Sequence, residues 1–227
     1  MEYPYVPLPK RNPLKWPNGA RVALIITFNL ETWDLLKDTD QPYYAGGPAL
    51  LPNTLPGNVA DFPNYSWREY GQRVGLWRLF EAMDEFDVKP SCTLNAVTVE
   101  RRREMLDAAL ERGCEIVAHN YEQGELLTDY MFQPDKEREV VLRTLEVYEE
   151  AVGRKAKGWL SSSLRGTPNT PSILAEKGCT FYCDIMNDDQ PFLIRTDNGP
   201  IVSVPYSNEI NDFTLVTRRG HTTDEVR

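Results

Sequence analysis

The sequence lacks the features that mark membrane, secreted and nucleic-acid-binding proteins. It has no run of apolar residues long enough to span a bilayer, and its amino terminus lacks the charged and apolar regions of a signal peptide. Its 25 Lys and Arg are outnumbered by 34 Asp and Glu, whereas phosphate binding needs clustered basic residues. We therefore expect a cytoplasmic protein with a small-molecule partner, no nucleic acid and no membrane.

Cysteine and histidine are also scarce. The four cysteines, at 92, 114, 179 and 183, have neither the paired spacing nor the accompanying histidines of a zinc site. Cys92 and Cys114 lie in or beside apolar runs, where a free cysteine behaves as a small hydrophobe. We predict that all four are reduced and structural.

One of only two histidines, His119, stands where a short apolar run ends. The run at 21–28 leads in the same way into Asn29, Leu30 and Glu31. Ligands of open α/β folds bind beyond the carboxyl ends of buried parallel strands, so an imidazole and a carboxylate are predicted at one active-site mouth. Each has a plainer alternative: His119 bonded to a backbone carbonyl, and Glu31 solvated at a helix start.

The order of elements is typical of an α/β fold in a single domain over 1–227. We predict strands at about 21–28, 91–95, 114–119, 156–161, 180–183 and 201–205, and helices at about 67–86, 99–112, 135–152 and 168–177. Repeated alternation of strand and helix indicates a parallel sheet or barrel. A helix start at Thr222 lies close to Arg227, so we expect the domain to lack its last C-terminal elements.

Residues 32–66 are too long for an ordinary connection between a strand and a helix. They are rich in Pro, Gly, Asn and Tyr and show no clear period. We predict a loop over the site, with Trp33 and Tyr44 as walls of a substrate pocket.

These motifs together resemble the polysaccharide deacetylase (nodulation-deacetylase homology) superfamily, and within it the metal-independent allantoinase and cyclic-imidase branch. The resemblance rests on segments 16–23, 28–31, 70–79, 113–119, 158–159, 165–170 and 184–191. It implies a distorted (β/α) barrel of about seven parallel strands, with the active site at the carboxyl ends of the strands.

The chain departs from the deacetylase pattern at three places. Asn29 and Glu31 stand where the superfamily has an Asp-x-Asp pair, and an amide such as Asn29 cannot act as a base at neutral pH. Gln123 stands where the second imidazole of a His-x-x-x-His motif binds metal. The usual Leu-His-Pro segment is absent before Arg227, because His221 lies in a polar, loop-like setting.

Two alternatives for a cofactor follow. One zinc or manganese ion could be bound by Glu31, His119 and Gln123. Glu122 is the chemically better ligand in place of Gln123. In the metal-free alternative, Glu31 positions or activates water and His119 shares the proton transfer.

Further residues complete the predicted site. Arg165 offers a planar donor group to a carboxylate or imide oxygen, and its plainer alternative is a surface ion pair. Ser161 and Asn29 are assigned to substrate binding. The resemblance also places Asp188 and Asp189 facing the site, although both are typical of a turn or helix cap.

The resemblance implies a hydrolase of non-peptide C–N bonds. We expect it to open a small cyclic amide, namely a ureide, hydantoin or imide, with the oxyanion stabilised by Arg165 or by a bound ion. The alternatives are de-N-acetylation of a small amino sugar, and an inactive relative that binds a ligand or serves as an assembly subunit. A homo-oligomer is expected from the resemblance.

Overall fold

The computed structural model describes residues 2–35 and 60–226, and a seven-stranded sheet forms its centre. The strands are β1 Thr27–Leu30, β2 Ser91–Leu94, β3 Glu115–Ala118, β4 Gly158–Trp159, β5 Phe181–Tyr182, β6 Phe192–Thr196 and β7 Gly199–Ser203. Their order in the sheet is β1-β2-β3-β4-β5-β7-β6. All neighbouring strands are parallel except the antiparallel pair β6 and β7. Within the described residues the sheet is not closed, and the α/β prediction with about seven strands is confirmed.

Helices connect the parallel strands. They are α1 Phe62–Tyr70, α2 Leu76–Glu85, α3 Ala96–Arg101, α4 Arg103–Glu111, α5 Pro134–Val152, α6 Thr170–Glu176 and α7 Thr223–Val226. Local signals explain the bounds of α5, since Pro134 suits the first turn and Gly153 ends the helix in the left-handed conformation, with φ of 77°.

The predicted starts of two helical regions were wrong. The loop expected over 32–66 ends before α1, because the Asp61 carboxylate caps that helix by accepting from the Asn64 N–H at 3.2 Å. The helix expected over 99–112 begins at Ala96 and is divided at Arg102, whose φ of −147° and ψ of 51° are not helical.

The first strand is shorter than its apolar run. Residues 21–26 lie outside β1, and Val22 and Leu24 are 76% and 80% exposed. The register pairs Thr27 with Ser91, the first residue of β2, and Pro90 before it has no N–H to extend the ladder. The prediction of a strand from residue 21 was therefore wrong.

The core lies between the sheet and its helices. Its largest fully buried side chains include Trp159, Tyr148, Phe80 and Ile116, and the Tyr148 hydroxyl donates to the Ile116 carbonyl at 2.7 Å. All four cysteines are free and buried, as predicted. Burial raises the pKa of Cys179 to about 12, so this thiol stays protonated and unreactive. In the described part of the chain, no helix is both long and apolar enough to cross a bilayer.

Gly158 tests the packing of β4 against β5. An added Cβ would lie 1.9 Å from the Phe181 ring, so Gly158→Ala forces the ring or the strand to move. We expect the free energy of unfolding to fall by about 1–3 kcal/mol, measured by urea denaturation. Gly71→Ala is the matched control, because Gly71 is helical with no atom within 4 Å of the added carbon. Equal stability of the two variants would contradict this account of the packing.

Candidate active site

The site begins where three adjacent strands end in register. Leu30 of β1 pairs with Leu94 of β2, and Leu94 pairs with Ala118 of β3. The next residues in each chain segment are therefore Glu31, Asn95 and His119. Short apolar strands buried in a parallel sheet thus deliver polar side chains to one edge, as the sequence predicted.

The His119 ring is held in one orientation. The side chain is buried, and its Nδ1 lies 2.5 Å from the backbone carbonyl of Leu160. A carbonyl only accepts, so Nδ1 carries the hydrogen and, in the neutral ring, Nε2 carries the lone pair. Nε2 is buried and has no hydrogen-bond partner among the described residues. It lies 3.4 Å from Oε1 of Glu31, whose side chain is 18% exposed.

This pair places two acceptors opposite each other. With His119 neutral and Glu31 ionised, neither atom donates to the other, and at 3.4 Å apart they leave no room for an atom between them. The arrangement therefore calls for a hydrogen donor beside the pair that bridges both acceptors. A water molecule has two O–H groups and can donate to both acceptors at once, which leaves its oxygen lone pairs directed away from them. The geometry suits the binding of a nucleophilic water at this edge of the sheet.

Gln72 anchors the backbone of Glu31. Its side-chain Nε2 donates to the Glu31 backbone carbonyl at 2.6 Å, and the backbone carbonyl of Gln72 accepts from the Trp77 indole at 3.1 Å. Gln72 lies in the π-helical segment Gly71–Gly75 between α1 and α2, a conformation that is frequent at functional sites. Gln72 lies in segment 70–79, on which the resemblance rests, but sequence reasoning did not identify it as a residue of the site.

Asn29 lies on the same face of β1 as Glu31, because alternate residues of a strand share a face. Its Oδ1 accepts from the Thr93 hydroxyl at 3.0 Å, and its Nδ2 lies 3.4 Å from the Tyr206 hydroxyl. Burial raises the pKa of Tyr206, so the phenol stays neutral. The structure therefore adds Tyr206, which sequence reasoning missed, to the surroundings of Asn29.

Ser161 is part of a buried turn. Its Oγ accepts from the Trp159 indole at 2.9 Å, and its N–H donates to Oδ1 of Asp184 at 2.7 Å. The second carboxylate oxygen of Asp184 accepts from the Gly166 N–H at 3.1 Å, so one side chain holds both ends of the turn. Burial raises the pKa of the Asp184 carboxyl, and hydrogen bonds from Ser161 and Tyr182 oppose that shift. Asp184 begins segment 184–191, on which the resemblance rests, yet sequence reasoning did not assign it to the site.

Arg165 lies on that turn and is exposed. Its N–H donates to the Ser162 carbonyl at 3.1 Å, and its carbonyl accepts from the Thr128 N–H at 3.0 Å. No contact among the described residues joins its guanidinium to Glu31 or His119.

Asp188 holds the amino-terminal segment. It lies 2.6 Å from a guanidinium nitrogen of Arg11, which lowers the pKa of the Asp188 carboxyl, and it accepts from the Gln190 N–H at 3.0 Å. Backbone pairing of Glu2 with Arg195 fixes the same segment to β6. The turn alternative thus describes Asp188, while the neighbouring Asp189 is exposed.

Of the two residues predicted to form pocket walls, the structure describes Trp33 but not Tyr44. Trp33 is only 5% exposed, and the guanidinium of Arg68 lies 4.0 Å from the centre of its ring. Tyr44, together with 36–59 of the predicted loop, lies outside the described residues.

A metal site at Glu31 and His119 would need a third ligand. Across 2–35 and 60–226, no three His, Cys, Asp or Glu side chains are grouped as a metal site requires. Glu31 and His119 supply two ligands, and catalytic zinc sites use three. The Gln123 amide oxygen accepts from the Ser162 hydroxyl at 3.0 Å, and Glu122 is buried. The described residues do not complete the site, and a set with Gln123 or Glu122 stays a prediction.

Comparison with known proteins supports the resemblance seen in the sequence. No family model matches the chain. A polysaccharide deacetylase homologue of Schizosaccharomyces pombe is 24% identical in an alignment 238 residues long, which covers 90% of this chain and 69% of that protein. The crystal structure of the PuuE allantoinase has a TM-score of 0.84 and 25% identity, over all of this chain and 76% of that one. A polysaccharide deacetylase homologue of Pseudomonas aeruginosa PAO1 has a TM-score of 0.75 and 26% identity, over 93% and 71%.

In sequence and fold, the chain is therefore similar to proteins of the polysaccharide deacetylase superfamily, as its motifs indicated. Its open seven-stranded sheet matches the barrel-like fold of these neighbours, which confirms the predicted fold. Its relatives also confirm the predicted enzyme class, a hydrolase.

Proposed function

We propose that this hydrolase opens a small cyclic amide, such as a ureide, hydantoin or imide, at a ring C–N bond. The observation that carries the proposal is the buried, unpartnered Nε2 of His119 at 3.4 Å from the Glu31 carboxylate. Likeness to an allantoinase over the whole chain supports a ring-opening reaction rather than another hydrolysis.

The chemistry follows from the two acceptors. Water that bridges Glu31 and His119 from the side attacks the ring carbonyl carbon, and Glu31 takes the proton that the water loses. When the C–N bond breaks, its electron pair stays on nitrogen, which receives that proton through Nε2 of His119. The product is an open-chain amide or ureide that bears a new carboxyl group. Arg165 remains the predicted donor to the developing oxyanion.

A metal would supply Lewis-acid polarisation of the carbonyl if one were bound, but no step above depends on it. Asn29 has no role as a base in this scheme, because an amide does not take up a proton at neutral pH, and its side chain instead bonds to Thr93 and Tyr206. The scheme therefore needs one carboxylate and one imidazole, which are the groups that the chain offers.

De-N-acetylation of a small amino sugar is the second candidate. The names of the S. pombe and P. aeruginosa relatives favour it, and the same attack on an amide carbonyl would serve both reactions. The single imidazole at the strand edge argues against it, since the superfamily's deacetylase pattern has a second one.

A substrate panel separates the candidates. We expect turnover of allantoin, hydantoin or succinimide, followed by loss of substrate and appearance of the ring-opened acid. N-acetylated sugars and chitin oligomers should remain intact. Elemental analysis of the purified protein, with assays before and after chelation, tests the metal at the same time. Deacetylation of a sugar with no turnover of any cyclic amide would overturn the proposal, and binding without any turnover would favour an inactive relative.

A further inference from the structure

We infer that Asn95 is the positioning residue that sets the separation between Glu31 and His119. The inference rests on the proposed function, because it assigns Asn95 a part in the same reaction. Asn95 follows β2, the strand between the two that carry the pair. It is fully buried, so it acts through its neighbours rather than on the substrate.

The Asn95 amide bonds to both neighbouring strand ends. Its Oδ1 accepts from the N–H of Thr32, the residue after Glu31, at 3.2 Å. Its Nδ2 donates to the backbone carbonyl of His119 and lies 3.5 Å from the amide oxygen of Gln123. One planar group thus joins the segment of the carboxylate to the segment of the imidazole.

The residue type matters because both functions of the amide are used. Aspartate keeps the acceptor and loses the donor, while alanine loses both and leaves the His119 carbonyl buried without its partner. The Asn95 backbone is also fixed, since its N–H donates to the Leu30 carbonyl at 3.3 Å. A shift of a strand end changes the distance across which the water must be held, and small misplacements are costly in catalysis.

Thr98, in the first turn of α3 directly after Asn95, offers a matched control. Its hydroxyl donates to the Leu30 carbonyl at 3.0 Å and lies 2.8 Å from the Thr32 hydroxyl. It is fully buried, like Asn95, but its side-chain bonds reach only the Glu31 side. Thr98→Val therefore disturbs the turn while the bonds to the His119 segment remain.

The first measurement is steady-state kinetics on the cyclic amide that wild type turns over. For Asn95→Ala we expect kcat to fall at least about tenfold with KM changed less than about threefold, because alignment is lost and binding is kept. Asn95→Asp preserves the shape of the side chain and its bond to Thr32, and we expect its kcat to fall as well. It replaces the alanine variant in this test if that variant does not fold. Thr98→Val should keep kcat within about threefold.

The second measurement is independent of activity. The chain has two histidines, so ¹⁵N-labelled ring signals of His119 can be assigned with a His221→Ala variant. We expect wild type and Thr98→Val to show the tautomer with hydrogen on Nδ1, and Asn95→Ala to show mixed or broadened ring signals. If kcat and ring signals respond equally to the Asn95 and Thr98 variants, the inference is overturned. If wild type opens no cyclic amide but the ring signals still separate the variants, the proposed function fails and the positioning role stands.

Discussion

Glu31→Gln is expected to lower kcat on a cyclic amide by at least about 10²-fold, the usual scale for a general base. Glutamine keeps the size of the side chain and its bonding reach. It removes the charge of the carboxylate, whose Oε1 lies 3.4 Å from Nε2 of His119 and which accepts the proton of the attacking water in the proposed reaction. Because the Gln72 bond is made to the Glu31 backbone, that anchor survives the change. The measurement is kcat and KM at saturating substrate, together with the melting temperature.

The control for this change is Glu111→Gln, which removes one negative charge from an exposed position at the end of α4. We expect wild-type rates in the control. Wild-type rates in Glu31→Gln as well would remove Glu31 from the chemistry.

The second large effect is expected from His119→Asn. An asparagine amide can take over the donation from Nδ1 to the Leu160 carbonyl, while it has no group in place of Nε2. We expect a loss of at least about 10²-fold in kcat with a melting temperature close to wild type. His221→Asn is the control, because it changes the other histidine.

His119→Ala should behave differently. It empties the volume of a buried ring and leaves the Leu160 carbonyl without its donor, at a cost of about 1–3 kcal/mol in stability for the lost bond alone. An asparagine variant as destabilised as the alanine variant, with activity falling only in proportion to folded protein, would give His119 a structural role instead.

Local pattern was sufficient for most elements. The helix predicted at about 135–152, ended by Gly153, agrees with α5 within a residue, because helix termini are set by residues close in sequence. The hairpin strand β6 was missed, since only Ile194 is buried within Phe192–Thr196 and the apolar run of the segment is only three residues long. The length of β1 was also misjudged, because a strand extends only as far as its partner, and β2 begins at Ser91.

The sequence by itself determined the resemblance to the superfamily, the alternation of strands and helices apart from β6, and the placement of Glu31 and His119 at strand ends. Each of these depends on residues adjacent in the chain or on motif order. Tertiary structure alone decided what surrounds the pair: the Leu160 carbonyl that sets the His119 tautomer, the Asn95 amide, and the Gln72 side chain that holds the Glu31 backbone. Leu160 lies 41 residues from His119, Asn95 lies 63 residues from Thr32, and Gln72 lies 41 residues from Glu31. Over such separations, no local sequence period indicates which donor will meet which acceptor. A buried polar group must find a partner, and only the packed fold determines which one it finds.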